Sequence, residues 1–261
     1  MTHQTITYEN KKDFLTNTSV KEFITWLQEK LPTLEVKLQI LPSRFVPGGL
    51  KVDAEGVESV LEYYRWKSQW VDASGKQHIS SSWNETKYSL DKLGQWLRNS
   101  ISENNENCTL QACMEVLKWG GVYNQGSINF LGDLANKHEL VNYLSQTRSA
   151  LALNNADTTL LELEQIIKRY NSGLTKIHAL ASFDSLPIYD SRVGATICAL
   201  SALFSNEVGK HCNSLIFSTS NARGIQSRNP GDFTGFKHPT HHQSCYFFIN
   251  ANFKLFTCNR W

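Results

Sequence analysis

No run of apolar residues approaches the length of a bilayer span, and the opening Met1-Thr2-His3-Gln4-Thr5 has no basic segment leading into an apolar one. Neither a membrane helix nor a secretory leader is therefore expected. The six cysteines (Cys108, Cys113, Cys198, Cys212, Cys245, Cys258) contain no CxxC pair and no dense framework. Buried free thiols in a reduced, cytoplasmic compartment are the expectation. Strong charge of either sign is missing too: 26 basic and 24 acidic residues leave a net +2, which neither requires nor excludes nucleic acid. Internal repeats, low-complexity linkers and PD-ExK or HNH nuclease patterns are all absent from the sequence.

What is present is an ordinary globular composition, 41% hydrophobic and 19% charged, in a chain long enough for one large domain or two lobes. The charge is uneven. From Asn206 to Trp261 six bases (Lys210, Arg223, Arg228, Lys237, Lys254, Arg260) face two acids (Glu207, Asp232). Such a bias suits phosphates, although from charge alone a solvated basic surface is the better explanation.

Residues 1–86 read as a mixed α/β region. Phe23, Ile24, Leu27 and Leu31 recur at helical spacing before Pro32, while Leu34, Val36, Leu38 and Ile40 alternate as a strand does. A second strand pair is expected to flank Asp72-Ala73-Ser74-Gly75-Lys76, a turn-forming run. Residues 87–261 read as helical. Helices are expected around Leu90–Leu97, Leu110–Leu117 (ended by Gly120-Gly121), Ile128–Ala135, Glu139–Leu153 and Leu160–Tyr170. Thr159 with Glu162 has the spacing of a capping box. A stop at Asn171-Ser172-Gly173 precedes a helix from Leu174, and a long helix follows Pro187. Residues 218–240 suggest a long loop and residues 244–256 a final packed helix. The fold class is mainly α (α+β), with a small β element near the start.

Chemistry concentrates between Tyr170 and Leu203: helix, short glycine-containing turn, helix, proline loop, then Asp190 at a helix start. A tight turn between helices offers backbone N–H groups and a positive dipole end to a phosphate. An acid opening the next helix is an N-cap on structural grounds and, beside a cleft, a candidate catalytic carboxylate.

Ser172-Gly173-Leu174-Thr175-Lys176 followed by Pro187-Ile188-Tyr189-Asp190-Ser191-Arg192-Val193 resembles the hairpin, lysine and aspartate of helix-hairpin-helix DNA glycosylases. The resemblance is nearest to bacterial proteins with an 8-oxoguanine glycosylase fold, in which a similar IYDSRV run recurs. Lys118-Trp119-Gly120-Gly121-Val122 and Arg228-Asn229-Pro230 look like further pieces of that group. It covers roughly residues 100–261 and leaves residues 1–86 unexplained.

The resemblance implies a DNA N-glycosylase that flips a damaged or modified base from the duplex and cleaves its glycosidic bond. Asp190 would stabilise positive charge on the sugar or activate water. Lys176 stands where bifunctional members keep an attacking amine. Here it lies 14 positions before Asp190 (190 − 176), several fewer than in those members, so a monofunctional enzyme is expected. Ser172, Gly173, Thr175, Arg192, Arg223 and Arg228 are the candidate DNA contacts, and Trp119, Tyr123, Phe130 and Tyr189 the candidate base pocket. Each of these aromatics is more often core than pocket, Lys176 reads also as a phosphate contact or a solvated helix-start lysine, and Arg192 as a phosphate ligand or an ion-pair partner. Double-stranded DNA is the expected partner, the protein a monomer without a cofactor. Excision could serve repair or defence against phage DNA with modified bases, such as glucosylated hydroxymethylcytosine. The contrasting reading is a non-catalytic helix-hairpin-helix DNA-binding module. His238, His241, His242 and Cys245 form HxxHHxxC, ligands that zinc accepts, but no second cluster closes a four-ligand site at a familiar spacing. Adjacent His211-Cys212 is poorly arranged to chelate. No metal is expected.

Overall fold

The computed structural model describes residues 8–42, 46–123, 125–155, 157–209 and 215. It is mainly helical, with two small antiparallel sheets. No described helix is long and apolar enough to cross a membrane. The expected long loop over 218–240, the final helix over 244–256, Arg223, Arg228 and the HxxHHxxC run all lie outside the described residues. The chain forms two compact units: residues 29–153 with 172–188, and residues 1–28 with 154–171 and 189–261.

The first of these units holds both sheets and most of the helices. Strand β1 (Glu35–Ile40) pairs with β2 (Leu50–Glu55) in a register that sets Glu35 opposite Glu55 and Ile40 opposite Leu50. The alternation anticipated for β1 is present, with Val36, Leu38 and Ile40 half-buried and their neighbours exposed. A short helix, α3 (Val57–Val60), follows β2. Strands β3 (Ser68–Val71) and β4 (Gln77–Ser80) form the expected hairpin. Asp72 organises its turn, accepting from the backbone N–H groups of Ser74 and Lys76, from Ser74 Oγ, and pairing with His78 Nε2. These contacts, above all those with Ser74 and His78, hold the Asp72 carboxyl far below the usual carboxylate range.

Helix α4 (Trp83–Ser102) starts with a complete Ser82–Glu85 capping box, and α5 (Glu106–Trp119) with Asn105 as its cap. Gly120 closes α5 and Gly121 follows at φ 65°, a left-handed value that only glycine adopts without cost. Helices α6 (Gln125–Asn136), α7 (Leu140–Ala150) and α9 (Ser172–Ala181) complete the bundle. Their apolar stripes meet in one core containing Leu93, Leu97, Val116, Leu117, Leu131, Leu140, Leu144, Leu174 and Ile177. Trp70 joins that core, donating its indole N–H to Ser89 and stacking on His78 at 4.3 Å between centroids.

In the other unit α1 (Lys11–Thr16), α2 (Thr18–Lys30, ending just past the unit's boundary) and α10 (Ser191–Val208) contribute to an aromatic-rich cluster of Tyr8, Phe14, Phe23 and Phe204, flanked by Trp26. Trp26 donates to Glu207 at 2.8 Å. Helix α8 (Leu160–Ile166) carries the Thr159–Glu162 capping box anticipated from spacing. It ends at Ile166 rather than Tyr170. Ile167 leaves helical geometry (ψ 89°) and is fully buried, so its packing outweighs the continuing helical pattern.

Candidate active site

Asp190 opens α10 as anticipated. Its Oδ1 accepts from the Val193 N–H at 3.2 Å, and its backbone carbonyl accepts from the Gly194 N–H at 2.9 Å. The residue is half-buried. Capping fixes the carboxylate at the positive end of an 18-residue helix, where negative charge is favoured. Tyr189 beside it is also half-buried. Arg192 lies in the first turn of the same helix.

Lys176 is held quite differently. It sits in the second turn of α9 and is only 7% exposed. Its Nζ donates to the Ser172 carbonyl at 2.9 Å, and Thr175 Oγ1 donates to the same carbonyl at 3.1 Å. The lysine stem lies on the end of α5. A Cβ added to Gly120 would stand 2.5 Å from Lys176 Cδ and 2.8 Å from Cε. Gly120 thus serves the packing of this lysine as well as the end of α5. Sequence placed Gly120 as a helix stop but gave no sign of that second role.

The expected stop at Asn171-Ser172-Gly173 is displaced. Helix α9 begins at Ser172, which puts Gly173 inside its first turn, and residues 167–171 join it to α8. Gly173 and Thr175 are buried, and Ser172 is half-buried. Lys176 with Ser172–Thr175 belongs to one unit and Asp190 with Tyr189 and Arg192 to the other.

The remaining aromatic candidates separate by exposure. Trp119 is part of the core, and its Nε1 is sealed from solvent without an acceptor among the described residues. Phe130 packs against the core and meets Tyr143 edge-on at 5.5 Å. Tyr123 is 71% exposed, which makes its ring the most open of the three, while Phe130 is half-buried.

One titratable group was not singled out from sequence. His178 is fully buried in α9, edge-on to Tyr143, and burial pushes its imidazole down to about 4. The signal was there: Leu174, Ile177, His178 and Ala181 follow the i, i+3, i+4, i+7 pattern of a buried stripe. Cys113 is likewise buried, and loss of solvation pushes its thiol up, so it is an inert core thiol. Cys108 is partly exposed and its sulfur accepts from Trp96 Nε1. No grouping of His, Cys, Asp or Glu suited to a metal occurs among the described residues.

No family model, no curated protein and no solved structure matches this chain.

Proposed function

We propose that the protein is a monofunctional DNA N-glycosylase that extrudes a damaged or modified base and hydrolyses its glycosidic bond, with Asp190 as the catalytic carboxylate. The observation that carries this reading is the state of Asp190. One oxygen is committed to capping α10, which fixes the group, while the residue keeps part of its surface accessible. A fixed carboxylate at a helix start can balance the cation that develops on the sugar as the bond to the base lengthens, and can take a proton from the attacking water. The leaving base departs with the bonding electrons and is protonated, and water supplies the oxygen at the anomeric carbon.

The setting of Lys176 supports hydrolysis over lyase chemistry. Attack by the amine would require Nζ to leave the Ser172 carbonyl and emerge from its place against Gly120. DNA would be held by phosphate contacts that position the duplex without reading its sequence. Ser172, Arg192, Arg223 and Arg228 are the candidates for that work. A role in defence against phage DNA carrying modified bases is one setting for such an enzyme, and the excised base is the datum that would define it.

The test is mass spectrometry of bases released from a panel of damaged and modified duplexes, with an abasic-site assay in parallel. Release of one free base together with abasic sites is expected. Tight DNA binding without release from any duplex would favour the non-catalytic binding module.

A further inference from the structure

Two arginines and an exposed phenylalanine come together near the C-terminal end of α9, away from any residue assigned a role above. The Arg98 side chain on α4 folds back over Gly94 and donates from Nη1 to the Leu180 carbonyl at 2.8 Å. A Cβ on Gly94 would stand 2.8 Å from that nitrogen, so the glycine makes room for the guanidinium. Arg148 on α7 lies 4.8 Å from the centre of the Phe183 ring, and Arg98 lies 5.9 Å from the same ring.

Like charges gathered on one ring normally require a counter-charge. Neither arginine forms an ion pair among the described residues. Of the acids nearby, Asp91 interacts with Arg98 only at longer range, and Asp184 is engaged by the Leu153 N–H and the Ser182 hydroxyl. Arg148 Nη1 is sealed from solvent and has no acceptor among the described residues. Burial chiefly lowers the affinity of Arg98 for its proton, and the Arg148 charge adds to that effect. Arginine nevertheless remains charged at neutral pH, so among the described residues the pair is an incompletely neutralised cationic centre. Phe183, 71% exposed, covers part of it and presents its remaining surface to solvent.

We propose that Arg98, Arg148 and Phe183 form a nucleotide-binding step that takes one phosphate of a nucleic-acid strand between the guanidiniums and stacks the adjoining base on Phe183. Guanidinium forks match phosphate geometry, and an aromatic face accepts any base. The anion site stands on these contacts alone. Its assignment to a strand, rather than to a free nucleotide, rests on the glycosylase reading.

Binding of a labelled oligodeoxythymidylate, alone and in duplex, is measured by anisotropy across a salt series, with AMP binding measured by calorimetry. Arg148→Gln, folded by its melting curve, should weaken the oligonucleotide about tenfold, the size of one lost charge-assisted hydrogen bond. It should also reduce the salt slope by about 1. Arg148→Lys keeps the charge without the fork and should fall between the two, which provides a second variant should the first unfold. Phe183→Ala should weaken the single strand more than the duplex. Unchanged affinity and slope in folded Arg148 and Phe183 variants would overturn the site. Loss of AMP binding with oligonucleotide binding intact would overturn the strand assignment. None of these measurements depends on base release. An inactive wild type that still shows the expected losses would therefore count against the glycosylase reading alone, and active variants with unchanged affinity against this step alone.

Discussion

Asp190 and Lys176 are the two charged residues that a shared chemistry would use, and the protein treats them in opposite ways. Asp190 keeps accessible surface and is fixed through its own helix start, with the helix dipole favouring its charge. Lys176 is withdrawn, its ammonium bonded to the carbonyl one turn back and its stem laid on a glycine. Fixing a charge where it can be reached suits electrostatic stabilisation of a transition state. Withdrawing one suits packing. On the glycosylase proposal, chemistry would fall to the carboxylate and packing to the amine, although both stand in the same sequence motif.

The sharpest way to break that contrast is Asp190→Asn. Asparagine caps helices as well as aspartate does, so folding and DNA affinity should persist. Base release should fall on the order of 10²-fold or more, because no charge remains to balance the sugar cation. Wild-type excision by this variant, on a substrate established for the wild type, would make Asp190 a cap and nothing more.

Next in size is the acid response of the unit that holds Lys176. The folded state keeps His178 neutral down to about 4, against 6.5 for the free side chain. Between those values the unfolded chain binds the extra proton, so stability is complete above pH 6.5 and declines as pH falls toward 4. The gap corresponds to about 3 kcal/mol. Urea unfolding at both ends of the window should show His178→Leu losing less stability on acidification than the wild type by about that amount. Equal losses in the two proteins would place the acid sensitivity elsewhere.

A smaller effect is expected at Gly120. Its φ of −74° is open to alanine, so the cost comes from crowding: chiefly the collision with Lys176, with a tighter approach to the Val116 carbonyl at 3.3 Å. Gly120→Ala should destabilise by about 1–3 kcal/mol, the usual range for overpacking. Lys176→Ala in the same chain should recover part of that loss. Additive effects in the double-mutant cycle would mean that glycine and lysine do not share the site.

The smallest signal concerns Lys176 as a nucleophile. Borohydride treatment during turnover should trap no protein–DNA adduct. An adduct in the wild type that disappears in Lys176→Ala would show the amine leaving Ser172 to attack the sugar, and would overturn the contrast from its other side.

Much of this was readable in advance where local signals are strong. Alternation marked β1, Asp72–Lys76 marked the β3–β4 turn, the Thr159–Glu162 spacing marked the start of α8, and Gly120-Gly121 marked the end of α5. Asp190 at a helix start was legible for the same reason, since capping is decided within four residues. Strand β2 and helix α1 were missed. β2 is a short run, Leu50–Glu55, whose partner β1 ends ten positions earlier (50 − 40), and α1 has only six residues with Phe14 as its one buried side chain. The stop within α8–α9 was misplaced because Ile167 is drawn into a core that the local pattern does not reveal.

Sequence by itself therefore determined the helical character, the hairpin turn, the caps and the identity of the residues that can carry charge chemistry. Each depends on hydrogen bonds or periodicity within one or two turns of chain. Tertiary structure alone decided which of those charges stays within reach. Lys176 meets Gly120 across 56 positions (176 − 120), and Arg148 meets Phe183 across 35 (183 − 148). Burial, desolvation and shared aromatic faces arise only when distant segments pack, and no spacing within a segment encodes them.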